Sequence, residues 1–348
     1  MKKLVKNDVK KVAVAISGGI DSLVAAYILK QKGLELFGIH FTTGYEELKP
    51  DLSFIEQQLG IEIKYIDVTL LFEQKVVNYF LNTYLSGKTP NPCIVCNKQI
   101  KFGALLDAAK SLGAHAIATG HYAKIEKRDQ YHALVKGADK LKEQSYFLSL
   151  LTEQQLNSIL FPLGDLTKTE VKKIALQANL APVEKKESQD ICFLQKKSIA
   201  QFFKAKGKTA SNTGNILTLD KKIIGKHKGI YNFTIGQRKG INCPAPEAYY
   251  VKKIDIQNNN LIVCFKNRLL SRQCSLSSLN FIKQDINFPL KVTTKIRYNH
   301  MQASSILKKQ EKNDLFDIRF EKEQFAITPG QTAVFYDNDE VIGSGVII

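Results

Sequence analysis

The sequence predicts an α/β protein with a doubly wound parallel-sheet domain, followed by a small central module and a C-terminal antiparallel β-barrel. The first observation is that short apolar, branched runs alternate with helical patterns over the first half of the chain, which is typical of a parallel sheet with crossover helices. The second is that apolar residues recur with period two beyond about residue 206, as in antiparallel strands. We therefore expect domains at 1–205, 206–274 and 275–348.

The composition is typical of a soluble globular protein. The chain has 348 residues, of which 44% are hydrophobic and 24% charged, enough for two or three domains with their own cores. No apolar run approaches the roughly 20 residues of a membrane span, and no apolar signal core follows the first basic residues. Six cysteines are too sparse for a disulfide scaffold. We expect a cytoplasmic monomer with no membrane partner.

The charge balance is strongly basic. Fifty Lys and Arg residues against 33 Asp and Glu give a net charge of +17, which suggests a polyanionic partner such as nucleic acid. Lysine-rich genomes also encode basic proteins without such partners, so the charge alone does not decide the question.

The elements of the first domain follow from the alternation of patterns. Strands are predicted at 12–16, 34–41, 61–67 and 114–119, and helices around 23–29 and at 51–59, 70–85 and 97–112. A hairpin is predicted at 124–135, then helices at 144–151, 152–159 and 167–178, the last with the Thr-x-x-Glu spacing of a capping box. The charged segment 183–190 is predicted to be a mobile loop.

The second half of the chain reads as strands separated by turns. Strands are predicted at 223–224, 249–256, 261–265, 291–298, 315–320 and 332–335. The segments 258–260, 328–330 and 337–339 carry the Asn, Asp, Pro and Gly residues that turns require. A barrel is therefore expected over 275–348.

The first strand runs directly into the sequence Ser17-Gly18-Gly19-Ile20-Asp21-Ser22. Glycines at a strand–helix junction let the backbone approach an anion, and the helix N–H groups and dipole face it. The serines add hydroxyl donors, and Asp21 could hold a magnesium ion that bridges phosphates. No lysine follows, so this is not the common NTPase loop. The alternative is an ordinary tight turn, but the Ser-Gly-Gly-x-Asp-Ser pattern resembles the loop of the ATP pyrophosphatases, which activate a substrate oxygen as its adenylate.

A second loop is expected at the same edge of the sheet. Gly120-His121-Tyr122 follows the fourth strand, and ligands of such sheets bind at the carboxyl ends of the strands. His121 could cap the strand structurally, but a loop histidine at this edge favours a substrate contact.

The sequence Asn91-Pro92-Cys93-Ile94-Val95-Cys96-Asn97 predicts a reactive thiol. Asn-Pro indicates a turn and Asn97 is a good N-cap, so Cys96 is expected at a helix N-terminus, where the dipole lowers a thiol pKa. The alternatives are a zinc half-site and inert core cysteines. Zinc is disfavoured because the remaining cysteines, Cys192, Cys243, Cys264 and Cys274, contain no second C-x-x-C. Cys264 and Cys274 are interpreted as structural.

Taken together, the motifs resemble the bacterial tRNA-specific 2-thiouridylase family, part of the ATP-pyrophosphatase superfamily, over nearly the whole chain. To the two sequences above are added, in order, Ala118-Thr119-Gly120-His121-Tyr122, Gln144-Ser145-Tyr146-Phe147-Leu148, Gln189-Asp190-Ile191-Cys192-Phe193, Gly236-Gln237-Arg238-Lys239-Gly240 and Thr328-Pro329-Gly330-Gln331. The family places sulfur on C2 of the wobble uridine in tRNAs for lysine, glutamate and glutamine.

The resemblance implies a role for individual residues. It makes Cys96 the catalytic nucleophile and Cys192 the carrier of a persulfide, the two forming a disulfide that a reductant resets. It implies an ATP site, with Mg, at Ala15, Ile16, Ser17, Gly18, Gly19, Ile20, Asp21, Ser22, Phe41 and Gly120. It implies contacts with the tRNA anticodon stem-loop at Asn91, Pro92, Cys93, His121, Lys142, Glu143, Gln144, Arg297, Tyr298 and Gln331.

The chain departs from the family pattern in three places. Cys93 occupies a position where many members carry an acidic residue, so the acid/base role of that residue has no evident replacement in this chain. The segment Thr42-Thr43-Gly44-Tyr45 replaces an Asn-Trp pair and a longer acidic insertion, which affects the adenine side of the ATP pocket. The chain has no tryptophan, and tyrosine stands at 249–250.

Other hypotheses stay open at this point. An amidating or ligating ATP pyrophosphatase needs no cysteine pair, and a non-catalytic tRNA-binding relative needs neither cysteines nor the glycine loop. The same reaction could use an iron–sulfur cluster on Cys93, Cys96 and Cys192. The sulfur donor is either a cysteine desulfurase or a small sulfur carrier protein.

Overall fold

The protein contains a parallel sheet, a small mixed sheet and a barrel in the computed structural model, which describes residues 9–46, 50–183, 191–208, 212–311 and 314–348. Within these ranges the strands are β1 (Lys11–Ala15), β2 (Glu35–Thr42), β3 (Ile63–Asp67), β4 (Ala116–Ala118), β5 (Ala123–Lys127), β6 (His132–Lys136), β7 (Ile159–Leu160), β8 (Gly214–Leu217), β9 (Ile223–His227), β10 (Tyr250–Asp255), β11 (Asn260–Cys264), β12 (Leu270–Phe281), β13 (Leu290–Lys295), β14 (Ala303–Lys309), β15 (Phe316–Phe325), β16 (Thr332–Asp337) and β17 (Glu340–Ile347).

The α-helices in the same ranges are α1 (Ile20–Gln31), α2 (Ser53–Leu59), α3 (Thr69–Phe72), α4 (Asn78–Leu85), α5 (Pro92–Cys96), α6 (Leu105–Ser111), α7 (Glu153–Leu156), α8 (Lys168–Gln177) and α9 (Ile199–Ala205). Two π-helical segments, Glu73–Val77 and Asn97–Ala104, join α3 to α4 and α5 to α6. No helix of the described residues is long and apolar enough to cross a membrane.

The parallel sheet has the strand order β3-β2-β1-β4-β7 and helices on both faces. Val12, Ala13 and Val14 of β1 are fully buried, as expected for a central strand covered on both sides. Helices α1, α2 and α8 pack on one face, and the helices at 69–85 and 97–111 pack on the other. The predicted doubly wound sheet is confirmed.

Several predicted elements need correction. The helix predicted at 97–112 begins at Pro92 instead, because Asn91 and the proline start it five residues earlier. The segment predicted as a helix at 144–151 is a 3₁₀ turn over Ser145–Leu148, and the helix predicted at 152–159 ends at Leu156, so that Ile159 can join the parallel sheet as β7. The predicted helix at 167–178 is confirmed with its capping box.

The barrel is formed by β12-β15-β14-β13-β16-β17, and β12 closes it by pairing with β17. The strand predicted at 291–298 ends at Lys295, so Arg297 and Tyr298 lie in the turn that follows it. The turns predicted at 258–260 and 337–339 contain Asn259 and Asn338 with positive φ. Strand β12 runs across residues 274 and 275, and a barrel domain that starts at Leu270 keeps it whole. The central module is a sheet of order β10-β11-β8-β9.

The barrel has its own buried cluster and also contributes residues to the core of the first domain. The hairpin β5–β6 leaves the first domain and extends the barrel sheet, with Val341 of β17 opposite Leu134 of β6. Val334, Tyr336 and Val341 of the barrel belong to the same buried cluster as residues of the first domain. The Tyr146 hydroxyl donates to the carbonyl of Thr332 at 2.9 Å. The sheet that carries the glycine loop is therefore held directly by the last strands of the chain.

Candidate active site

The glycine loop follows β1 and is closed by its own serines. Gly18 has φ of +87°, a conformation that favours glycine. Ser22 accepts a hydrogen bond from the Ser17 backbone N–H at 3.2 Å and donates to the Gly19 carbonyl at 2.9 Å. These bonds fix the turn that leads into α1, whose first N–H groups have no partner within the helix. The loop therefore has the shape of an anion site.

Asp21, in the first turn of α1, is engaged by two side chains from distant parts of the sequence. The ammonium group of Lys168 lies 2.7 and 2.8 Å from its two carboxylate oxygens, and the Tyr122 hydroxyl donates to it at 2.7 Å. Lys168 is 8% exposed. This arrangement differs from the predicted use of Asp21 as a magnesium ligand, because both oxygens already face a cation. Magnesium would then arrive with the phosphate oxygens of ATP rather than on a site that the protein holds.

The other residues predicted for ATP surround this loop. A side chain at Gly120 would collide with Asp21, since a Cβ there would lie 2.8 Å from the Asp21 carbonyl carbon; the backbone after β4 therefore packs directly on the loop. Phe41, near the end of β2, is half-buried. Its neighbour His40 makes a 2.8 Å hydrogen bond with the carbonyl of Ile16. Ala15 ends β1, Ile16 follows it and Ile20 begins α1, so these three residues flank the glycines on either side.

The helix that carries Cys96 begins earlier than predicted, and this changes the environment of the thiol. Cys93 is the second residue of α5 and Cys96 is its last, followed without a break by the π-helical segment. Asn97 is not an N-cap: it is 3% exposed and donates from Nδ2 to the Phe147 carbonyl at 2.9 Å. Cys96 is thus a full turn inside the helix, away from the N–H groups that would favour a thiolate.

The pKa of Cys96 is raised, not lowered as the sequence predicts. Burial raises the pKa of this thiol to about 12, against a smaller opposing effect of the Lys101 charge. At pH 7 the thiol is therefore protonated. Lys101 lies in the π-helical segment Asn97–Ala104, which directly follows Cys96. Its charge also acts on Cys93 and Cys192. Lys101 is therefore the nearby cation common to all three thiols.

Cys192 lies in the region of Cys96, and the next residue, Phe193, anchors it there. It begins a 3₁₀ turn over Cys192–Leu194 and is exposed. Phe193 is buried, with its ring centroid 5.1 Å from that of Phe80 and 5.3 Å from that of Phe202. Cys192 acts electrostatically on Cys96 and raises its pKa, so the two predicted catalytic cysteines lie in the same region. The loop predicted to be mobile covers 183–190, and its residues 184–190, with Gln189 and Asp190, lie outside the described residues.

The shortened segment after β2 supports this turn. The ring of Tyr45 packs 5.8 Å from Phe193, and the Gln195 side chain donates to the Tyr45 carbonyl. The carboxylate of Glu46 accepts from the N–H and hydroxyl groups of Thr43 at 2.8 and 2.7 Å. The departure from the family pattern at 42–45 therefore has a structural use, because Tyr45 fills the space beneath the turn of Cys192.

Several of the residues predicted to bind tRNA lie close to one another. Glu143 and Lys142 act electrostatically on Tyr298, whose ring lies 4.4 Å from that of Phe147. The Gln144 side chain accepts from the Tyr122 backbone N–H at 3.0 Å. Tyr146 links Asn91 with Arg297, since it hydrogen-bonds the first and feels the charge of the second.

Gln331 and Pro92 have structural duties at the edge of this cluster. The Gln331 amide donates to the carbonyls of Thr89 and Pro90, both at 3.1 Å. Pro92 is buried at the start of α5. Gln331 therefore fixes the approach to α5 from the barrel side.

His121 is packed rather than projecting. Its ring centroid lies 5.8 Å from those of Phe102 and Phe161, and Nδ1 shares a 2.7 Å hydrogen bond with the Thr119 hydroxyl. Burial, aided by the charge of Lys101, lowers the pKa of His121 well below its usual value. The ring is therefore neutral, and it links the loop after β4 to the helix that carries the cysteines.

No metal centre forms in the part of the chain that the structure describes. All six cysteines are free thiols, and no three His, Cys, Asp or Glu side chains within the described ranges are grouped so that they could hold an ion. The described residues thus offer no support for the iron–sulfur or zinc alternatives.

Sequence reasoning missed Lys101, Lys168 and the role of Tyr122. Lys168 is 147 residues from Asp21 in sequence. The capping-box pattern at Thr167 accounts for the helix start there and assigns no role to the Lys168 side chain. Lys101 lies five positions after Cys96, a spacing that indicates a shared face only once the helix is known to be a π-helix.

Three family models match consecutive parts of the chain. They are described as the tRNA methyl transferase HUP domain over residues 10–196, the tRNA methyl transferase PRC-barrel domain over 201–265 and the aminomethyltransferase beta-barrel domain over 271–347. Together they span nearly all of the chain.

Curated relatives are similar over almost their full length. The tRNA-specific 2-thiouridylase MnmA of Desulfosudis oleivorans is 44% identical over 338 residues, covering 97% of this chain and 94% of that protein. The corresponding MnmA of Clostridium acetobutylicum is 37% identical, covering 97% and 99%. Among solved structures, NMN synthetase from Francisella tularensis is 16% identical with a TM-score of 0.35, covering 59% of this chain and 79% of that chain.

Proposed function

The chain belongs to the family of tRNA-specific 2-thiouridylases, and from this we propose that it places sulfur on C2 of the wobble uridine in tRNAs for lysine, glutamate and glutamine. The enzyme is then a tRNA-uridine 2-sulfurtransferase that uses ATP. The single observation that supports the mechanism is that Cys96 and Cys192 lie in one region, close to residues predicted to bind tRNA. The loop 120–122 connects this region to the glycine loop.

The first step is activation of the uridine. The C2 oxygen of uridine is a poor leaving group, so it attacks the α-phosphate of ATP, pyrophosphate leaves, and the oxygen becomes part of an adenylate. The glycine loop supplies backbone N–H groups and the hydroxyls of Ser17 and Ser22 for the phosphates. Phe41 and Gly120 lie beside the loop and would bound the nucleotide.

The second step is sulfur transfer. The terminal sulfur of a persulfide on Cys192 attacks C2, AMP leaves with the former C2 oxygen, and the uridine is joined to Cys192 through a disulfide. The Cys96 thiolate then attacks the Cys192 sulfur, which forms the Cys96–Cys192 disulfide and releases 2-thiouridine. A thiol reductant supplies two electrons to restore both thiols.

The charge of Lys101 has a defined use in this step. Burial opposes ionisation of Cys96 and raises its pKa to about 12, so the nucleophile needs a nearby cation to form. The ammonium group of Lys101 acts on Cys96, Cys192 and Cys93 alike, and it would stabilise each sulfur anion in turn.

The tRNA is proposed to enter with its anticodon stem-loop at 142–144 and 297–298. Bases recognised in single-stranded loops are stacked on aromatic rings, and Tyr298 on Phe147 offers such a surface beside Arg297. The excess of 17 positive charges would supply most of the salt-dependent affinity. A cysteine desulfurase or a small sulfur carrier would load Cys192, which is exposed. We propose the cytoplasm as the site of action and a monomer as the active form.

Other activities fit the site less well. The names of two family models mention methyl transfer, but methylation needs neither a cysteine pair nor an adenylating loop. An amidating ligase would use the glycine loop and leave the neighbouring Cys96 and Cys192 without a purpose.

The test is a reconstituted reaction with an unmodified lysine tRNA transcript, ATP, and a cysteine desulfurase with cysteine as the sulfur source. We expect 2-thiouridine in the digested tRNA by mass spectrometry, and one AMP for each sulfur transferred. The Cys192→Ser variant is the control and should give no thiolated nucleoside. ADP as the sole nucleotide product, or a methylated uridine with a methyl donor present, would overturn the proposal.

A further inference from the structure

A closed ring of hydrogen bonds joins the glycine loop to the segment proposed to bind tRNA. Its members come from four separate parts of the chain: Asp21 in α1, Tyr122 after β4, Asp139 to Gln144 after β6, and Lys168 at the start of α8. Lys168 and Tyr122 have no part in the mechanism proposed above.

One side of the ring runs through Tyr122. Its backbone is tied to Gln144 twice, since the Tyr122 N–H donates to Gln144 Oε1 at 3.0 Å and the Gln144 N–H donates to the Tyr122 carbonyl at 3.0 Å. Its hydroxyl donates to Asp21 Oδ1 at 2.7 Å. The side chain is 2% exposed, so it cannot turn away without opening the packing around it.

The other side runs through Lys168. Its ammonium group binds both oxygens of Asp21, and its backbone N–H donates to Asp139 Oδ2 at 2.8 Å. The other oxygen of Asp139 accepts from the N–H groups of Leu141 and Lys142 at 2.9 and 3.2 Å. The carboxylate of Asp139 therefore holds the start of α8 and the segment 141–142 together.

The arrangement matters because Asp21 is a negative charge next to a proposed polyphosphate site. A free carboxylate there would repel the phosphates, and Lys168 cancels that charge at contact distance. Any shift of 142–144 is passed to Asp21 along both sides of the ring, since each link is a short bond to a buried or half-buried group.

We infer that Tyr122 and Lys168 are positioning residues that make ATP binding at the glycine loop and tRNA binding at 142–144 strengthen each other. The inference rests on the proposed function, because it takes tRNA as the ligand of 142–144. Coupling of this kind is reciprocal: tRNA must tighten ATP binding by the same factor as ATP tightens tRNA binding.

The experiment measures the affinity of the full-length protein for α,β-methylene ATP, which cannot be cleaved at the reacting bond, with and without saturating lysine tRNA transcript. In the wild-type protein tRNA should tighten the nucleotide by about fivefold or more, the lower end of typical coupling. Tyr122→Phe keeps the buried ring and removes one hydroxyl, and it should reduce that factor to below about twofold. The matched control is Tyr131→Phe, which removes a 2.5 Å hydroxyl bond from the turn of the β5–β6 hairpin to Glu340 of β17, outside the ring, and should keep the wild-type factor.

A second variant guards against loss of folding. Asp139→Ala removes the opposite side of the ring from a partly exposed position and should lower the coupling as Tyr122→Phe does. Equal nucleotide affinity with and without tRNA in the wild-type protein, or full coupling in both variants, overturns the inference. If ATP and tRNA binding are coupled but the protein makes no 2-thiouridine, the proposed function is overturned and the inference about the hydrogen-bond ring is retained.

Discussion

The glycine loop and the cysteine centre lie on either side of the loop 120–122, and the free protein prepares them to different degrees. The glycine loop is closed by its serine hydrogen bonds, and the charge of Asp21 is already balanced. At the cysteine centre, the buried thiol of Cys96 has a pKa of about 12 and is protonated. One site is shaped by the backbone before any ligand arrives, whereas the other depends on its surroundings to become reactive. The order suits the chemistry, because sulfur is needed only after the uridine is activated.

The largest expected effect separates the three cysteines. Cys96→Ser and Cys192→Ser should each lower multiple-turnover thiolation by about a thousandfold or more, as expected when an essential nucleophile is removed. Cys96→Ser should still accept a persulfide on Cys192, measured by mass spectrometry of the intact protein. Cys93→Ser should cost less than about tenfold, because the disulfide route does not use it.

Cys93 is the control that tests the contrast between the two regions. If Cys93→Ser is as inactive as the other two variants, and the active protein contains iron and acid-labile sulfide, a cluster on the three cysteines replaces the persulfide route.

The second prediction concerns the ion pair between Asp21 and Lys168 beside the glycine loop. Asp21→Ala should abolish adenylation and also lower the free energy of unfolding by about 2 kcal/mol, because it leaves the ammonium group of Lys168 without its anion. The double variant Asp21→Ala, Lys168→Met should recover most of that stability but no activity. Urea denaturation followed by circular dichroism would give the three stabilities. Equal stabilities would mean that Asp21 and Lys168 do not depend on each other.

The third prediction concerns Lys101. Because the pKa of Cys96 is about 12, its alkylation by iodoacetamide should rise about tenfold per pH unit from pH 7 to 10 without levelling off. Lys101→Met should lower the alkylation and single-turnover sulfur transfer by about tenfold, the effect of about one pKa unit. Lys110→Met changes an exposed lysine in α6 and should leave both rates unchanged. A plateau near pH 8 would show an ordinary thiol and remove the need for Lys101.

The smallest expected effect is the pH dependence contributed by His121. Burial lowers its pKa in the folded protein, so the neutral ring stabilises the fold fully above the unfolded pKa of about 6.5, and this stability is lost as the pH falls. Between pH 8 and pH 6 this residue should lower the free energy of unfolding by about 1 kcal/mol. His121→Asn should show a correspondingly flatter stability profile in chemical denaturation. If His121→Asn and the wild-type protein have the same dependence of stability on pH, the His121 ring is exposed to water in the folded protein.

Local backbone rules account for the part of this structure that the sequence predicted well. Apolar runs, glycines and the capping box at Thr167 act within a few residues of themselves, so β1, the loop and α8 follow from their own sequences. The same rules failed at Cys96, because Asn97 and Asn91 are both acceptable helix starts and the proline after Asn91 decides between them. The direction of the pKa shift also depends on burial, which is settled by Tyr45, Phe193 and other residues far away in sequence.

Long-range pairs were beyond the reach of pattern reading. Nothing near Asp21 indicates Lys168, and no periodicity indicates that β6 pairs with β17. The glycine loop and the loop 120–122 nonetheless came together because they follow the neighbouring parallel strands β1 and β4, whose carboxyl ends meet at one edge of the sheet.

The junction between Gln331 and the carbonyls of Thr89 and Pro90 has a consequence for how the protein is made. The ribosome synthesises α5 well before Gln331 and before β17, the strand that pairs with β6. A nascent chain that ends before these residues therefore lacks the supports of its cysteine helix.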